Sequence, residues 1–416
     1  MRARIHRGAR QIGGSCIELE SDGRRLVLDL GRPLEATRLE HVPLPDVAGL
    51  RSADPSLLGI VLSHPHQDHW GQIPDLQTEV PVYAGARAGH VLREAAFFGA
   101  GAYAVREAAP LQDRQPLQVG PFRILPIAVD HSATDAYSLL VEADGETLFY
   151  TGDFRAHGRH RQRFDHLVAS PPGPVDTLLM EGTHVRHDGA PPRESASEAE
   201  VQVALEATFR AASGPVLLAC SAQNIDRLCG AYEACVATGR TLVVDLYAAT
   251  MATASGVPDA PQPGWPNYRI WLPQRQRVRI KRAGAFERAR LQRHVRIFPE
   301  AMAEAAATAV FLYREGLAAE LERADCVEGA TLVWSLWRGY LDGPAGKTMR
   351  ERIARHRWQV RDHHASGHAG VTDLQKLARA LLPKKVVPIH TFGAENYPAL
   401  FDNVVLHEDG TWWEVA

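Results

Sequence analysis

The sequence predicts an α/β protein of two domains, a layered α/β/β/α sandwich and a doubly wound parallel sheet. Two observations carry that prediction. Short strand patterns crowd the first part of the chain with few helices between them, as expected for sheets covered by helices on their outer faces. Beyond a break rich in Pro, Gly, Ser and charge at Arg186–Ser197, strands alternate with helices one for one, the pattern of a parallel sheet.

In chain order, Ser15–Glu20 and Arg25–Leu30 flank Ser21-Asp22-Gly23, a hairpin with an Asp-Gly turn. Leu58–Leu62 is an apolar run of the kind that forms a buried strand. A helix is predicted over Ala88–Phe98, and strands over Phe122–Ala128, Ala136–Val141, Thr147–Tyr150 and Thr177–Met180. After the break come strand Val216–Cys220, helix Asn224–Ala237, strand Thr241–Leu246, helix Tyr247–Ala254, and strands Ala309–Tyr313 and Thr331–Leu336. The alanine-rich Ala301–Ala307 reads as a helix, as does Lys347–His356. Trp358–Arg361, Val371–Leu382, Val386–Ile389 and Val404–Leu406 then form a β-α-β-β tail.

The 416 residues are enough for two or three domains, and 45% hydrophobic with 23% charged residues is ordinary for a globular protein. A net charge of -3 supplies no global basic field, so binding to a polyanion must rest on local patches. No segment reads as a signal peptide or a membrane span. The five cysteines, Cys16, Cys220, Cys229, Cys235 and Cys326, contain no C-x-x-C pair and suit buried thiols in a reducing cytoplasm. Nineteen histidines is the outlier.

Ser63-His64-Pro65-His66-Gln67-Asp68-His69 follows a predicted strand. Three imidazoles and a carboxylate in so short a loop aim at one point, and that donor set suits zinc, with manganese or iron as lesser candidates. A histidine-rich surface loop is the bland reading, and the H-x-H-x-D-H spacing argues against it. Further donors stand at other strand ends: His131 after Phe122–Ala128, Asp153 after Thr147–Tyr150, and His390 after Val387-Pro388-Ile389. Singly each reads as well as a capping aspartate or a backbone-satisfied histidine; together they complete a binuclear site.

That series, H-x-H-x-D-H, a lone histidine, Thr151-Gly152-Asp153 and a late histidine, resembles the metallo-β-lactamase superfamily. Asp29, in Leu28-Asp29-Leu30-Gly31, matches the aspartate that orients the histidine loop, and Gly13-Gly14-Ser15-Cys16 is similar to the family's opening segment. Glu181 in Met180-Glu181-Gly182-Thr183, His368 in Ser366-Gly367-His368-Ala369, and His390 resemble the three motifs of the β-CASP nuclease branch, which includes ribonuclease J-like and messenger RNA 3′-end-processing enzymes. Pro65 is an uncommon filler in the loop, and Thr391 stands where glycine often follows.

The resemblance implies a metallo-β-lactamase αββα sandwich over residues 1–190 and 357–416, interrupted by a parallel-sheet β-CASP domain over 191–356, with the active site in the cleft between them. It implies that His64, His66 and His131 hold one divalent ion, that Asp68, His69 and His390 hold a second, and that Asp153 bridges them. Asp68, Glu181 and His368 are the catalytic candidates, His368 as proton donor and Glu181 as its partner. Ser366 and Gly367 are expected at the substrate. Ser221-Ala222-Gln223-Asn224-Ile225-Asp226-Arg227 resembles a ribonuclease J-like nucleotide segment, with Ser221, Asn224 and Arg227 facing a phosphate. An ordinary helix cap with a salt bridge is the equal reading. The basic run Arg275–Arg282, with Arg288, Arg290, Arg293 and Arg296, is either a phosphate-attracting patch or a solvated helix face. Trp334, Trp337 and Tyr340 are either base-stacking or core residues. His157, His160, His363 and His364 are expected not to bind metal.

The expected function is metal-dependent phosphodiester hydrolysis of RNA, as exonuclease or endonuclease, with two zinc ions or manganese in their place. DNA is the substrate of a smaller group in the branch. A small-molecule thioesterase and a non-catalytic RNA-binding scaffold are the rival classes. The inserted domain, Glu181 and His368 argue against the first, and the full donor set against the second. A homodimer is compatible with the reading.

Overall fold

A computed structural model describes residues 1–36, 40–99, 106–188 and 195–416; part of the interdomain break, residues 189–194, lies outside them. The described residues divide into two compact units, Met1–Glu194 with Gly367–Ala416, and Ser195–Ser366.

The first unit carries two sheets. One has strands β1 (Arg2–Arg7), β2 (Cys16–Ser21), β3 (Arg24–Leu28), β4 (Leu57–Val61), β5 (Pro81–Tyr83) and β6 (Arg106–Glu107). The other has β7 (Leu117–Val119), β8 (Phe122–Ala128), β9 (Tyr137–Ala143), β10 (Glu146–Tyr150) and β11 (Thr177–Glu181). Side-chain alternation sets the layers, because successive residues of a strand face opposite sides. On β3, Leu26 and Leu28 enter the core between the sheets, and Val27 enters a second core outside the first sheet. On β10, Leu148 and Tyr150 point inward while Phe149 joins a core shared with the helices Gln162–Ala169 and Val371–Leu381. Both faces of each sheet are therefore buried, which explains why these strands read as apolar runs and which defines an αββα sandwich. Each large apolar side chain so buried contributes about 1.5–3 kcal/mol.

The second unit is one parallel sheet built from β12 (Val216–Ala219), β13 (Thr241–Asp245), β14 (Tyr268–Trp271), β15 (Ala309–Tyr313), β16 (Thr331–Trp334) and β17 (Gln359–Asp362), in the order β14-β13-β15-β12-β16-β17. Its ends meet where the Ser366 amide donates to the Ser195 hydroxyl at 2.8 Å. The helix Glu198–Ala211 opens with a capping box between Ser197 and Glu200.

The chain then returns to the first unit. Strand β18 (Lys385–Ile389) lies beside β11, and β19 (Trp412–Glu414) beside β1, giving the orders β18-β11-β10-β9-β8-β7 and β19-β1-β2-β3-β4-β5-β6.

Two differences from the sequence reading follow from non-local pairing. Residues 357–366 belong with the second unit rather than with the closing part, because β17 pairs in register with β16 from Thr331↔Gln359 to Trp334↔Asp362. Val404–Leu406 forms no strand: only Val404 bridges to Val386. All five cysteines are buried. No helix among the described residues is long and apolar enough to cross a membrane.

Candidate metal centre

Strand register brings the predicted donors together. β10, β11 and β18 run parallel, pairing Tyr150 with Leu179 and Glu181 with Ile389. Their C-terminal ends therefore share one edge of the sheet and present Asp153, Glu181 and His390 there. His131 leaves the end of β8 in the same sheet, and His64 follows β4 in the facing one. His66 takes an extended conformation at the N-cap of the helix Gln67–Trp70, so His64 and His66 precede the helix while Asp68 and His69 occupy its first turn.

Two groups of donor atoms result, each with its members within 4.8 Å of one another: His64, His66 and His131, and Asp68, His69, Asp153 and His390. Asp153 Oδ2 lies 3.1 Å from His69 Nε2 and 3.6 Å from His64 Nε2, so it stands between the groups. A third combination, Asp153, Glu181, His368 and His390, shares two members with the second and is part of the same cluster.

Backbone and neighbouring side chains aim the imidazoles. The Asp29 carboxylate accepts from Ser63 N, Ser63 Oγ, Tyr150 Oη and His69 Nδ1, each at 2.7 Å. His69 therefore turns Nε2 toward the cluster. His131 Nδ1 donates to the Gly367 carbonyl at 2.5 Å, which leaves Nε2 facing His66 Nδ1 at 3.0 Å. A carbonyl or carboxylate behind a ligating histidine fixes its tautomer and orientation. Asp29 and His390 hold positive φ, 57° and 53°, a left-handed conformation uncommon outside glycine and found where surrounding structure imposes it. At Gly31 a Cβ would fall 1.7 Å from the Asp68 carbonyl oxygen, so only glycine lets the loop lie that close.

The donor set fits a divalent-metal centre. His64 Nε2, His69 Nε2 and both Asp153 oxygens are buried without a hydrogen-bond partner among the described residues; buried polar atoms left so are rare and costly unless an ion completes them. Burial, then neighbouring imidazoles, push His64 well below its ordinary range. Burial likewise pulls His66 down to about 4 and His131 well below its usual value. These three rings are thus neutral, the form that ligates metal. The Asp68 and Asp153 carboxyls resist the upward push of burial and lie below the usual range, held down by His69 and His390.

Glu181 ends β11 fully buried, accepting from the amides of Phe154 at 3.2 Å and Thr183 at 3.3 Å. Its Oε2 lies 3.2 Å from His368 Nδ1, and that ring also stands 3.7 Å from Asp153 Oδ2. Burial pulls the His368 pKa down, but Glu181 and Asp153 outweigh it and raise it to about 9. The Thr183 hydroxyl sits 3.2 Å from His368 Nδ1 and 3.0 Å from His390 Nδ1. Sequence reading passed over Thr183; its place two residues after Glu181 in the same motif was the available signal.

The expected substrate residues fare differently. Gly367 gives its carbonyl to His131, and a Cβ there would lie 2.6 Å from Ser132 Oγ. Arg227 is fully buried in the second unit, its guanidinium donating to Glu198 at 2.9 and 3.1 Å and to Ser335. Asn224 caps the helix Ile225–Thr238 by accepting from Arg227 N, and Ser221 Oγ accepts from Gln223 N. Of the two readings of Ser221–Arg227, the capped helix with a salt bridge is the one the structure displays. Trp334 is buried, whereas Trp337 and Tyr340 are 62% and 48% exposed.

Comparison with known proteins agrees with this architecture. Residues 32–217 match the model of a beta-lactamase superfamily domain, and residues 355–392 that of a Zn-dependent metallo-hydrolase RNA specificity domain. Ribonuclease J of Mycolicibacterium smegmatis (strain ATCC 700084 / mc(2)155) is 29% identical over 251 residues, covering 56% of this chain and 42% of that protein. Ribonuclease J of Helicobacter pylori (strain ATCC 700392 / 26695) is 26% identical over 246 residues, covering 57% and 35%. The matched part thus spans less than half the length of these curated relatives. The solved structure of a protein of unknown function from Enterococcus faecalis V583 superposes over 99% of both chains with a TM-score of 0.79 at 20% identity, so the complete two-unit fold recurs. Fold, site and matches together define a metallo-β-lactamase-fold protein carrying a β-CASP insertion. Within that superfamily the matched relatives are ribonuclease J proteins, and the chain resembles the ribonuclease J-like β-CASP branch.

Proposed function

We propose that the chain hydrolyses phosphodiester bonds of RNA at a centre of two divalent ions, zinc by preference. The observation that carries this reading is the pairing of two donor groups with a separate Glu181–His368 couple at 3.2 Å, gathered in one cluster. The ions, once bound, activate water and stabilise charge on the attacking and leaving oxygens of the phosphodiester. The protein supplies the rest. Asp29 and the Gly367 carbonyl hold His69 and His131 in the tautomers that ligate. His368 is neither in the first donor group nor in the second; it delivers a proton to the leaving oxygen, and Glu181, itself fixed by two amides, positions the ring. Imidazole-rich ligation favours zinc over magnesium or calcium.

The ribonuclease J relatives and the matched RNA specificity domain support RNA as the substrate class. The test offers metal-loaded protein a 5′-labelled RNA, the matching DNA and a thioester, with elemental analysis of the same preparation. Cleavage of RNA with about two ions per chain is expected, and the product pattern separates exonuclease from endonuclease action. Intact RNA beside rapid thioester hydrolysis would overturn the reading.

A further inference from the structure

The segment between Gln274 and Phe298 of the second unit behaves unlike the rest of the surface. It holds nine cations and a single carboxylate, Glu287, in a chain whose net charge is -3. The helix Gln274–Ala283 buries only Ile280, and the helix Phe286–Arg290 buries nothing. Arg275, Arg277, Lys281, Arg282, Arg290 and Arg293 are all exposed and form no ion pair among the described residues. Elsewhere in the same unit several arginines are matched: Arg314 with Asp245, Arg338 with Asp342, Arg352 with Glu322. Arg277 and Lys281 stand four residues apart on one helix, a like-charge spacing that destabilises it. Four of the eleven exposed large hydrophobic residues among those described also fall here: Val278 at 39%, Phe286 at 61%, Leu291 at 64% and Phe298 at 52%.

A surface that is self-repelling and apolar at once is relieved by a partner that is anionic and presents apolar faces. Single-stranded nucleic acid has both, phosphates for the cations and unpaired bases for aromatic rings. A duplex hides its base faces and leaves Phe286 and Phe298 without use. An anionic membrane asks for a helix with its apolar and cationic faces segregated. Here Val278 has Arg275, Lys281 and Arg282 at helical neighbour spacings, so its own face of the helix is cationic rather than apolar. We infer that residues 274–298 form a holding site for single-stranded RNA, distinct from the metal centre, in which the arginines and Lys281 take phosphates and Phe286 and Phe298 take bases. The choice of RNA over DNA rests on the function proposed above; the single-stranded polyanion does not.

The experiment measures binding and cleavage separately on the full chain. In a His368→Ala background, a labelled 24-nucleotide single strand, its duplex and vesicles of anionic phospholipid are titrated over a range of salt. Phe286→Ala/Phe298→Ala should weaken single-strand binding at least about tenfold with the salt slope unchanged. Arg277→Glu/Lys281→Glu/Arg282→Glu should weaken it and flatten the log–log salt slope by about 0.7 for each phosphate the protein no longer neutralises. In the otherwise native protein both variants should cleave a very short oligonucleotide at the native rate. Unaltered single-strand binding in both variants overturns the site. So does equal loss of duplex binding in the phenylalanine variant, or vesicle binding that the variants abolish while RNA binding stands. Failure of the native protein to cleave any nucleic acid, with these binding losses intact, overturns the catalytic reading and leaves the holding site in place.

Discussion

Two segments of this molecule share one local plan and end in opposite chemistry. His64–His69 and Ser221–Arg227 each follow a buried strand, β4 or β12, and each opens a helix. Both are rich in polar side chains, and both invite a functional reading. In Ser221–Arg227 the polar groups satisfy one another: Asn224 caps the helix, and Arg227 closes on Glu198 and Ser335. In His64–His69, Asp29 holds His69 from behind, and the Nε2 atoms of His64 and His69 meet no hydrogen-bond partner among the described residues. The contrast teaches that polar residues at a strand-to-helix turn mark a ligand site when buried acceptors and donors remain unmet, not when they are merely numerous.

The largest effect that sharpens this contrast lies at Asp153. Asp153→Ala removes the carboxylate standing between the two donor groups, and we expect loss of bound metal and of hydrolysis on the order of 10⁴-fold or more, read by elemental analysis and initial rates. Native metal content in that variant would break the site as described.

Next comes His368→Ala, expected to keep its metal and its fold while activity drops about 10²–10⁴-fold. Glu181→Gln should follow in the same direction with a smaller loss, since it acts through the His368 ring. Metal release from His368→Ala as complete as from Asp153→Ala would mean that His368 is a ligand.

Arg227→Ala tests the other segment. It removes the buried guanidinium that pairs with Glu198, and breaking such a buried ion pair costs roughly 3–5 kcal/mol, seen as a lowered denaturation midpoint. Hydrolysis by the protein that remains folded should stay near native. Loss of activity without loss of stability would restore Arg227 to the substrate.

The smallest effect is one of pH. Glu18 is buried beside Arg4, Arg25 and His6, at distances of 2.6, 3.0 and 2.8 Å. Burial pushes its carboxyl up, but bonds from His6 and Arg4 prevail and hold the pKa below the ordinary value. A depressed carboxyl contributes stability that is present above its unfolded pKa of about 4.3 and is lost as pH falls through the folded value. The denaturation midpoint of native protein should therefore converge on that of Glu18→Gln as pH is lowered from 7 toward 3; a constant gap would rule the ion pairs out as its source.

Much of the fold and the donor cluster is legible in the chain because the signals are local. The apolar runs of β4, β8, β10 and β11 record sheets buried on both faces, and His64, His131, Asp153 and His390 sit within a few residues of the strand ends that position them. Each needs only its own strand to exist and to point the right way. What the sequence by itself determined is therefore the set of donors, the αββα pattern and the alternation that makes a parallel second sheet. Tertiary structure alone decided which neighbours those groups meet. Trp358–Arg361 has the pattern of any short strand, and only pairing with β16 assigns β17 to the second unit. Thr183 acquires its place between His368 and His390 through the register of β11 with β18, more than 180 residues apart in the chain. Arg227 looks like a free cation until Glu198 and Ser335 close on it. Pattern reports what a side chain is and which way its strand turns it; partner, burial and satisfaction are long-range properties that exist only once the sheets have assembled.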